Sequence, residues 1–273
     1  MPLFRTPAKR FSQSEQARNA SGRREASAAA PLIPRDPHDK TPPIGAIAGD
    51  GFRCMLVHRC QGTQAMIYIV TSENRDLFRQ DLFQMHRHRR AVFVDRLRWQ
   101  LPATGLGEID AYDRRDTIYL IARARPDEPI QASARLLPTD RPHLMGDLFA
   151  HACSSPPPCG RSIWEASRFC PAPELSRRAR LRSLGEILCG ILETCLLFGT
   201  EQIVFTANSA LLPLTLHCGW QASVLGPTLP DGDDQITAVQ VQVHFDGLLA
   251  LRRRFGIHAP IARYLLPQHA RAA

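Results

Sequence analysis

Leu181-Arg-Ser-Leu-Gly-Glu-Ile-Leu-Cys-Gly-Ile-Leu-Glu-Thr-Cys-Leu-Leu-Phe198 and, after a three-residue break, Gln202-Ile-Val-Phe-Thr206 decide how this chain folds. In the first stretch Leu181, Leu184, Leu188, Ile191, Cys195 and Phe198 recur at helical spacing, which buries one face of a helix against a sheet. The second is a short apolar run that reads as a buried strand. Downstream come a short helix over residues 209–217, a strand near Trp220 to Leu225 and an alternating strand from Ile236 to Phe245. Upstream, Met66-Ile-Tyr-Ile-Val70 is a β-rich run, and Thr71 or Ser72 followed by Glu73 and Asp76 is a helix start. The helix runs from about Glu73 into the nineties, with Leu77, Leu82, Met85 and Phe93 on its apolar side. Pro102, Gly105 and Gly107 break regularity, so Trp99 to Arg115 is expected as a long loop. Thr117 to Arg123 and Ile130 to Leu137 are strand-like around the turn Pro126-Asp-Glu-Pro129, and Ile163 to Phe169 is a further strand. Strands and helices mixed in this order predict an α/β fold, a three-layer α/β/α sandwich around a mixed sheet.

Of the 273 residues, the first 65 carry ten Lys+Arg against five Asp+Glu, so the net charge of +8 is concentrated there. That segment is rich in Pro, Ser, Ala and Arg and has few large apolar residues before Ile44, so it is expected to be disordered. Residues 66–273 form the expected single domain, and Met66 is a candidate translation start. Eight cysteines occur without a C-x2-C pair or a signal peptide, which points to reduced thiols in the cytoplasm. No run approaches the roughly 20 apolar residues of a membrane span, so no membrane insertion is expected. His86 and His88 do not face one another on a helix, the cysteines lack zinc spacing, and no metal is expected. A Walker A loop, a G-x-S-x-G elbow and a dinucleotide fingerprint are all missing from the sequence.

Polar and aromatic landmarks run from Arg89, Phe93 and Trp99 through Asp110 and Asp113 to Arg135, then Glu165, Ser167 and Arg168. They lie in Arg-x3-Phe-x5-Trp, in Glu108-Ile-Asp-Ala-Tyr-Asp113, in Ala132-Ser-Ala-Arg-Leu-Leu137 and in Trp164-Glu-Ala-Ser-Arg-Phe169. Read by themselves, Phe93 is ordinary core, the two aspartates cap a helix or pair with Arg114 and Arg115, and Arg87, Arg89 and Arg90 are a solvated helix face. Taken in order and spacing, the set resembles the LuxI-type acyl-homoserine lactone synthases, bacterial enzymes that make quorum-sensing signals from S-adenosylmethionine and an acyl thioester. The likeness extends from Met66 to about Phe245.

The resemblance implies a fold similar to the GNAT-type N-acetyltransferases and an acyltransferase needing no cofactor, both reactants being substrates. Arg89, Asp110, Asp113, Arg135, Glu165 and Arg168 then form a buried ion network, with Arg168 as the partner of Glu165. Glu165 is the expected base for the substrate amine, because a charge in a strand flanked by Trp164, Ala166 and Phe169 is locally costly. Phe93 and Trp99 are expected at the adenosylmethionine site, where an aromatic face attracts a sulfonium, together with Arg89 and Ser167. Thr206 falls in the expected acyl-chain pocket. Arg182-Ser-Leu-Gly185 matches only the first half of the acetyltransferase pyrophosphate loop, which speaks against simple acetyl-CoA transfer.

The donor is acyl-CoA or acyl carrier protein. Residues 209–220, ahead of and including Gly219-Trp220, contain no Lys or Arg and resemble the subgroup that uses acyl-CoA. Chain length and 3-substituent are not legible. Two other readings remain open: an N-acyltransferase acting on another amine, and a basic nucleic-acid-binding protein, which only the first 65 residues favour, since no nucleic-acid-binding motif is present.

Overall fold

The computed structural model describes residues 64–105, 107–232 and 234–267. Residues 1–63, and with them nearly all of the expected extension, lie outside the described residues. Among the described residues, nine strands form one mixed sheet. Its path starts at the two-residue β11 (Ala262–Arg263) and continues through β1 (Met66–Val70), β4 (Ile118–Arg123), β5 (Ala132–Pro138), β6 (Ile163–Pro171) and β7 (Gln202–Asn208). It ends with β10 (Asp234–Gln242) and β8 (Gln221–Val224), while β9 (Leu229–Asp231) pairs with β10. Two pairings are parallel, β11 with β1 and β6 with β7, and the others are antiparallel.

One face of the sheet carries α3 (Arg177–Leu197) and α5 (Phe245–Phe255). Leu184, Leu188, Ile191 and Cys195 of α3 pack there against Ile67, Leu120, Leu136 and Ile203, as the periodicity predicts; Ile187 joins them, and the expected Phe198 is instead 40% exposed. The helix lies so close that a Cβ on Gly190 would sit 2.8 Å from Ile67, so only glycine fits that contact. The opposite face carries α1 (Arg79–Arg89), whose Met85 joins Phe78, Tyr68, Tyr119 and Ile121, and the four-residue α2 (Leu144–Asp147), whose Met145 packs on Val204 and Ala238. The result is the expected α/β/α sandwich. No helix among the described residues is long and apolar enough to cross a membrane.

The expected helix from Glu73 into the nineties is three pieces: a 3-10 turn at Arg75–Phe78, α1, and a π-helical segment at Arg90–Arg96. The expected loop from Trp99 to Arg115 contains a short ribbon, β2 (Ala103–Thr104) with β3 (Gly107–Glu108). The last long strand ends at Gln242 rather than Phe245, and α5 follows it.

Two departures from regular sheet geometry prepare the site. First, β6 and β7 are paired only over Ile163 to Glu165 and Gln202 to Val204, and they part beyond Glu165 while β7 stays on β10 as far as Asn208. Second, the register of β6 on β5 jumps from Cys170 opposite Ser133 to Ser167 opposite Arg135, so Arg168 and Phe169 together face one residue. This is a β-bulge, and Arg168 sits in it with φ of 52°.

Candidate active site

Leu137 pairs with Glu165, Arg135 with Ser167, and Glu165 with Val204, so these side chains share the α1/α2 face of the sheet. Thr206 lies on that face as well, two residues beyond Val204 and past the point where β6 and β7 separate. A regular strand would send Arg168 to the opposite face from Ser167. The bulge turns it back, so Glu165, Ser167 and Arg168 all serve one site.

On this face three guanidinium groups meet three carboxylates. Arg89, 1% exposed at the end of α1, bonds Glu108 Oε2 through Nε at 2.5 Å and grips Asp113 through both terminal nitrogens at 2.7 and 2.9 Å. Arg135, 0% exposed, holds Asp110 at 2.6 and 3.1 Å, reaches Asp113 at 3.0 Å, and donates through Nε to Ser167 Oγ at 3.1 Å. Arg168 donates to Asp110 at 2.7 Å and to Glu108 at 3.2 Å. Tyr119 Oη donates to Asp113 at 2.8 Å. Burial opposes ionisation of Asp113, but the hydrogen bonds and charge of Arg89, with the charge of Arg135, hold its carboxyl well below the usual range. The same contacts keep Arg89 and Arg135 charged against the cost of their own burial. Three positive and three negative charges cancel, and bidentate geometry satisfies most of the donors.

Glu108 is a member of the cluster beyond the residues expected from the sequence. It lies fully buried in β3 and joins Arg89 to Arg168. The ribbon presses on α1 so tightly that a Cβ on Gly107 would lie 2.7 Å from His86, and His86 Nδ1 is 2.9 Å from the Glu108 carbonyl. The signal that could have found it is spacing: Glu108 and Asp110, two apart in an extended segment, point the same way.

Glu165 is not the partner of Arg168. Its Oε1 accepts a hydrogen bond from the Met145 N–H at 3.1 Å, and its Oε2 is buried without a hydrogen-bond partner among the described residues. Burial pushes the Glu165 carboxyl up to about 7, and the amides of Met145 and Leu144 and the charges of Arg135 and Arg168 pull the other way. Five members of the expected network thus join Glu108 in a neutralised six-residue cluster, and the sixth, Glu165, stands beside it as one carboxyl poised near neutrality.

Phe93 and Trp99 come together as a stack, ring centroids 4.9 Å apart and 10° from parallel, and the Arg168 guanidinium lies 5.7 Å from the Phe93 centroid on the column. Phe93 is buried, whereas Trp99 is 44% exposed. Of the two aromatics expected at the substrate, Trp99 therefore offers surface and Phe93 supports it.

Residues 73–248 match the family model described as autoinducer synthase. This chain belongs to the autoinducer synthase family. Among curated relatives of this synthase, the acyl-homoserine-lactone synthase of Ralstonia solanacearum is 34% identical over 174 residues, 60% of this chain and 83% of that protein. The isovaleryl-homoserine lactone synthase of Bradyrhizobium diazoefficiens is 30% identical over 199 residues, covering 70% and 86%. Among solved structures, the CoA-dependent acyl-homoserine lactone synthase MesI has a TM-score of 0.65 at 33% identity, covering 72% of this chain and 98% of its own. BjaI, another CoA-dependent synthase, solved with SAM and isopentyl-CoA, has a TM-score of 0.67 at 28% identity, covering 76% and 98%. In this autoinducer synthase the ion cluster, the Glu165 carboxyl and Thr206 lie on one face of the sheet, where β6 and β7 part beyond Glu165, and Arg168 joins the cluster to the aromatic column.

Proposed function

We propose that this chain is an acyl-homoserine lactone synthase that joins S-adenosyl-L-methionine to a fatty-acyl thioester and releases 5'-methylthioadenosine. The observation that carries the mechanism is Glu165: a buried carboxyl near neutrality with one oxygen fixed and the other free, next to an opening in the sheet. A base with such a pKa holds its proton neither too weakly nor too tightly for work near pH 7. Glu165 takes a proton from the substrate amine, and the nitrogen attacks the thioester carbonyl. The carbon–sulfur bond of the thioester breaks, and the thiolate leaves with a proton. The methionyl carboxylate then attacks the carbon bonded to the sulfonium, the second carbon–sulfur bond breaks, and sulfur departs with the electron pair as methylthioadenosine.

The cluster of Arg89, Glu108, Asp110, Asp113, Arg135 and Arg168 acts as the frame. It fixes the loop over residues 99–116 and sets the Arg168–Phe93–Trp99 column, whose exposed Trp99 receives the adenosylmethionine. Ser167, held by Arg135, lines the same pocket, and Thr206 lines the acyl side. The donor is acyl-CoA: α4 (Leu212–His217) and the residues around it lack Lys and Arg, giving an acidic carrier protein little to hold, and two structural relatives are CoA-dependent. Purified protein incubated with adenosylmethionine and a panel of acyl-CoA and acyl-carrier thioesters is expected to give lactone and methylthioadenosine with acyl-CoA. Lactone from acyl-carrier thioesters alone would overturn the choice of donor, and no lactone with any donor would overturn the function.

A further inference from the structure

α2 is only four residues long, too short to hold its own shape, since a single helical turn fixes more backbone freedom than its hydrogen bonds repay. Yet this turn presents the Met145 amide to Glu165 Oε1. Its place depends on what grips it. Met145 anchors it from below, buried against Val204 and Ala238. From the side the segment is stitched to the loop that carries Asp110 and Asp113: Tyr112 Oη donates to Asp147 Oδ2 at 3.1 Å, Arg114 donates to the Pro142 carbonyl at 2.6 Å, and Arg141 pairs with Asp116 at 3.1 Å. The Tyr112 ring in turn lies 5.8 Å from the Arg135 guanidinium, so the residue that reaches α2 also touches the ion cluster.

We infer that Tyr112 and Asp147 are positioning residues for Glu165: their hydrogen bond clips α2 to the Asp110–Asp113 loop and so holds the Met145 amide on one carboxylate oxygen while the other faces the substrate. The inference rests on the reading of Glu165 as base. Neither clip residue contacts the reacting atoms; both act through α2. Without the clip, α2 drifts from Glu165, and the carboxylate loses the amide contacts that favour its charged form. The groups around it that remain are Arg135 from β5, Arg168 from β6 and Tyr112 from the loop, with burial still favouring the protonated acid. The acid limb of the rate profile then moves to higher pH.

The test uses the full chain, adenosylmethionine and one active acyl-CoA, with kcat, both KM values, the pH profile and Tm measured for Tyr112→Phe, Asp147→Ala, Asp147→Asn, the Tyr112→Phe/Asp147→Ala double variant and Glu165→Gln. Displacement of a positioned group commonly costs about 10-fold or more in rate, so Tyr112→Phe and Asp147→Ala are each expected to lower kcat about 10-fold. KM and Tm should stay near the parent's, and the acid limb should move upward. The double variant is expected to fall no further than either single one, and Asp147→Asn, whose amide oxygen still accepts from Tyr112, should keep most of the activity. Parent-like kcat and acid limb in Tyr112→Phe and Asp147→Ala, with Glu165→Gln inactive, would overturn the clip alone. Near-parent activity in Glu165→Gln would overturn the base, and the clip with it.

Discussion

Arg168 shows how a single residue can carry a site and yet resist reading. The sequence Glu165-Ala-Ser-Arg168 places Arg168 on the wrong face of a regular strand, and only the bulge, with a φ of 52°, brings it to Glu108 and Asp110. A non-glycine residue in that conformation costs on the order of 1–3 kcal/mol, offset here by two ion pairs and the Phe93 ring. Side-chain alternation cannot announce a bulge, so the expected partner of Arg168, Glu165, gives way to Glu108 and Asp110. Glu165 was legible because a carboxylate among apolar neighbours in a strand demands a reason. Two outcomes follow for Glu165→Gln, which keeps the acceptor for Met145 and removes the base. Turnover should fall by roughly 100-fold or more, read in a lactone assay with Tm checked alongside. Stability should move the other way. The folded pKa is about 7 against 4.5 for the free side chain, so ionisation of Glu165 costs folding stability as pH rises from about 4.5 through 7, by on the order of 3 kcal/mol at most. The Tm of Glu165→Gln should exceed the parent's at pH 8 and converge with it at pH 5; equal values at both would show that Glu165 titrates normally.

At the scale of elements, α3 and the strands around it were legible because burial on a sheet enforces a clear period, and Leu184, Ile187, Leu188 and Ile191 obey it. The π-helical turn at Arg90–Arg96 was not legible, since apolar spacing does not distinguish hydrogen bonds to i−4 from bonds to i−5. It ends in Leu97 N–H bonding the Val92 carbonyl, just before the chain turns at Trp99 to stack on Phe93. α5 has helical spacing at Leu248, Leu251 and Phe255, but the alternation of β10 runs on toward its first residue, Phe245, and masks the boundary. The ribbon β2–β3 was hidden by its glycines, and with it Glu108. The ion cluster ties α1, β3, β5 and β6 together, so its loss should be global. Arg89→Met leaves Glu108 and Asp113 buried and under-paired and is expected to cost about 3–5 kcal/mol, measured by urea unfolding. Arg79→Ala, which removes an ion pair whose side chains are 80% and 84% exposed, should change stability by no more than about 0.5 kcal/mol. Similar costs for the two would remove the cluster from its role as frame.

For the molecule as a whole, the basic excess of the sequence lies in residues 1–65, and the described body supplies every group that the proposed chemistry uses. A chain shortened to begin at Met66 is expected to fold and turn over. Among the described residues it loses the Ala65 N–H that donates to Glu186 at 3.1 Å, about 1.5–3 kcal/mol for a bond to a charged acceptor, and the buried Ala65 methyl; an inactive or insoluble product would make the preceding segment part of the domain. The class of fold was legible from element order, and the family from the spacing of Arg89, Asp110, Asp113, Arg135 and Glu165. The way those residues divide into a neutralised cluster and one poised carboxyl depends on distances that no spacing encodes. In the proposed function one site both acylates the amine of adenosylmethionine and expels its sulfur. The measurement that tests it most directly is the stoichiometry of a single reaction with adenosylmethionine and acyl-CoA, in which lactone, methylthioadenosine and free CoA thiol are quantified together. One of each per turnover is expected. Thiol release with acylated adenosylmethionine but neither lactone nor methylthioadenosine would contradict it and confine the chain to acyl transfer.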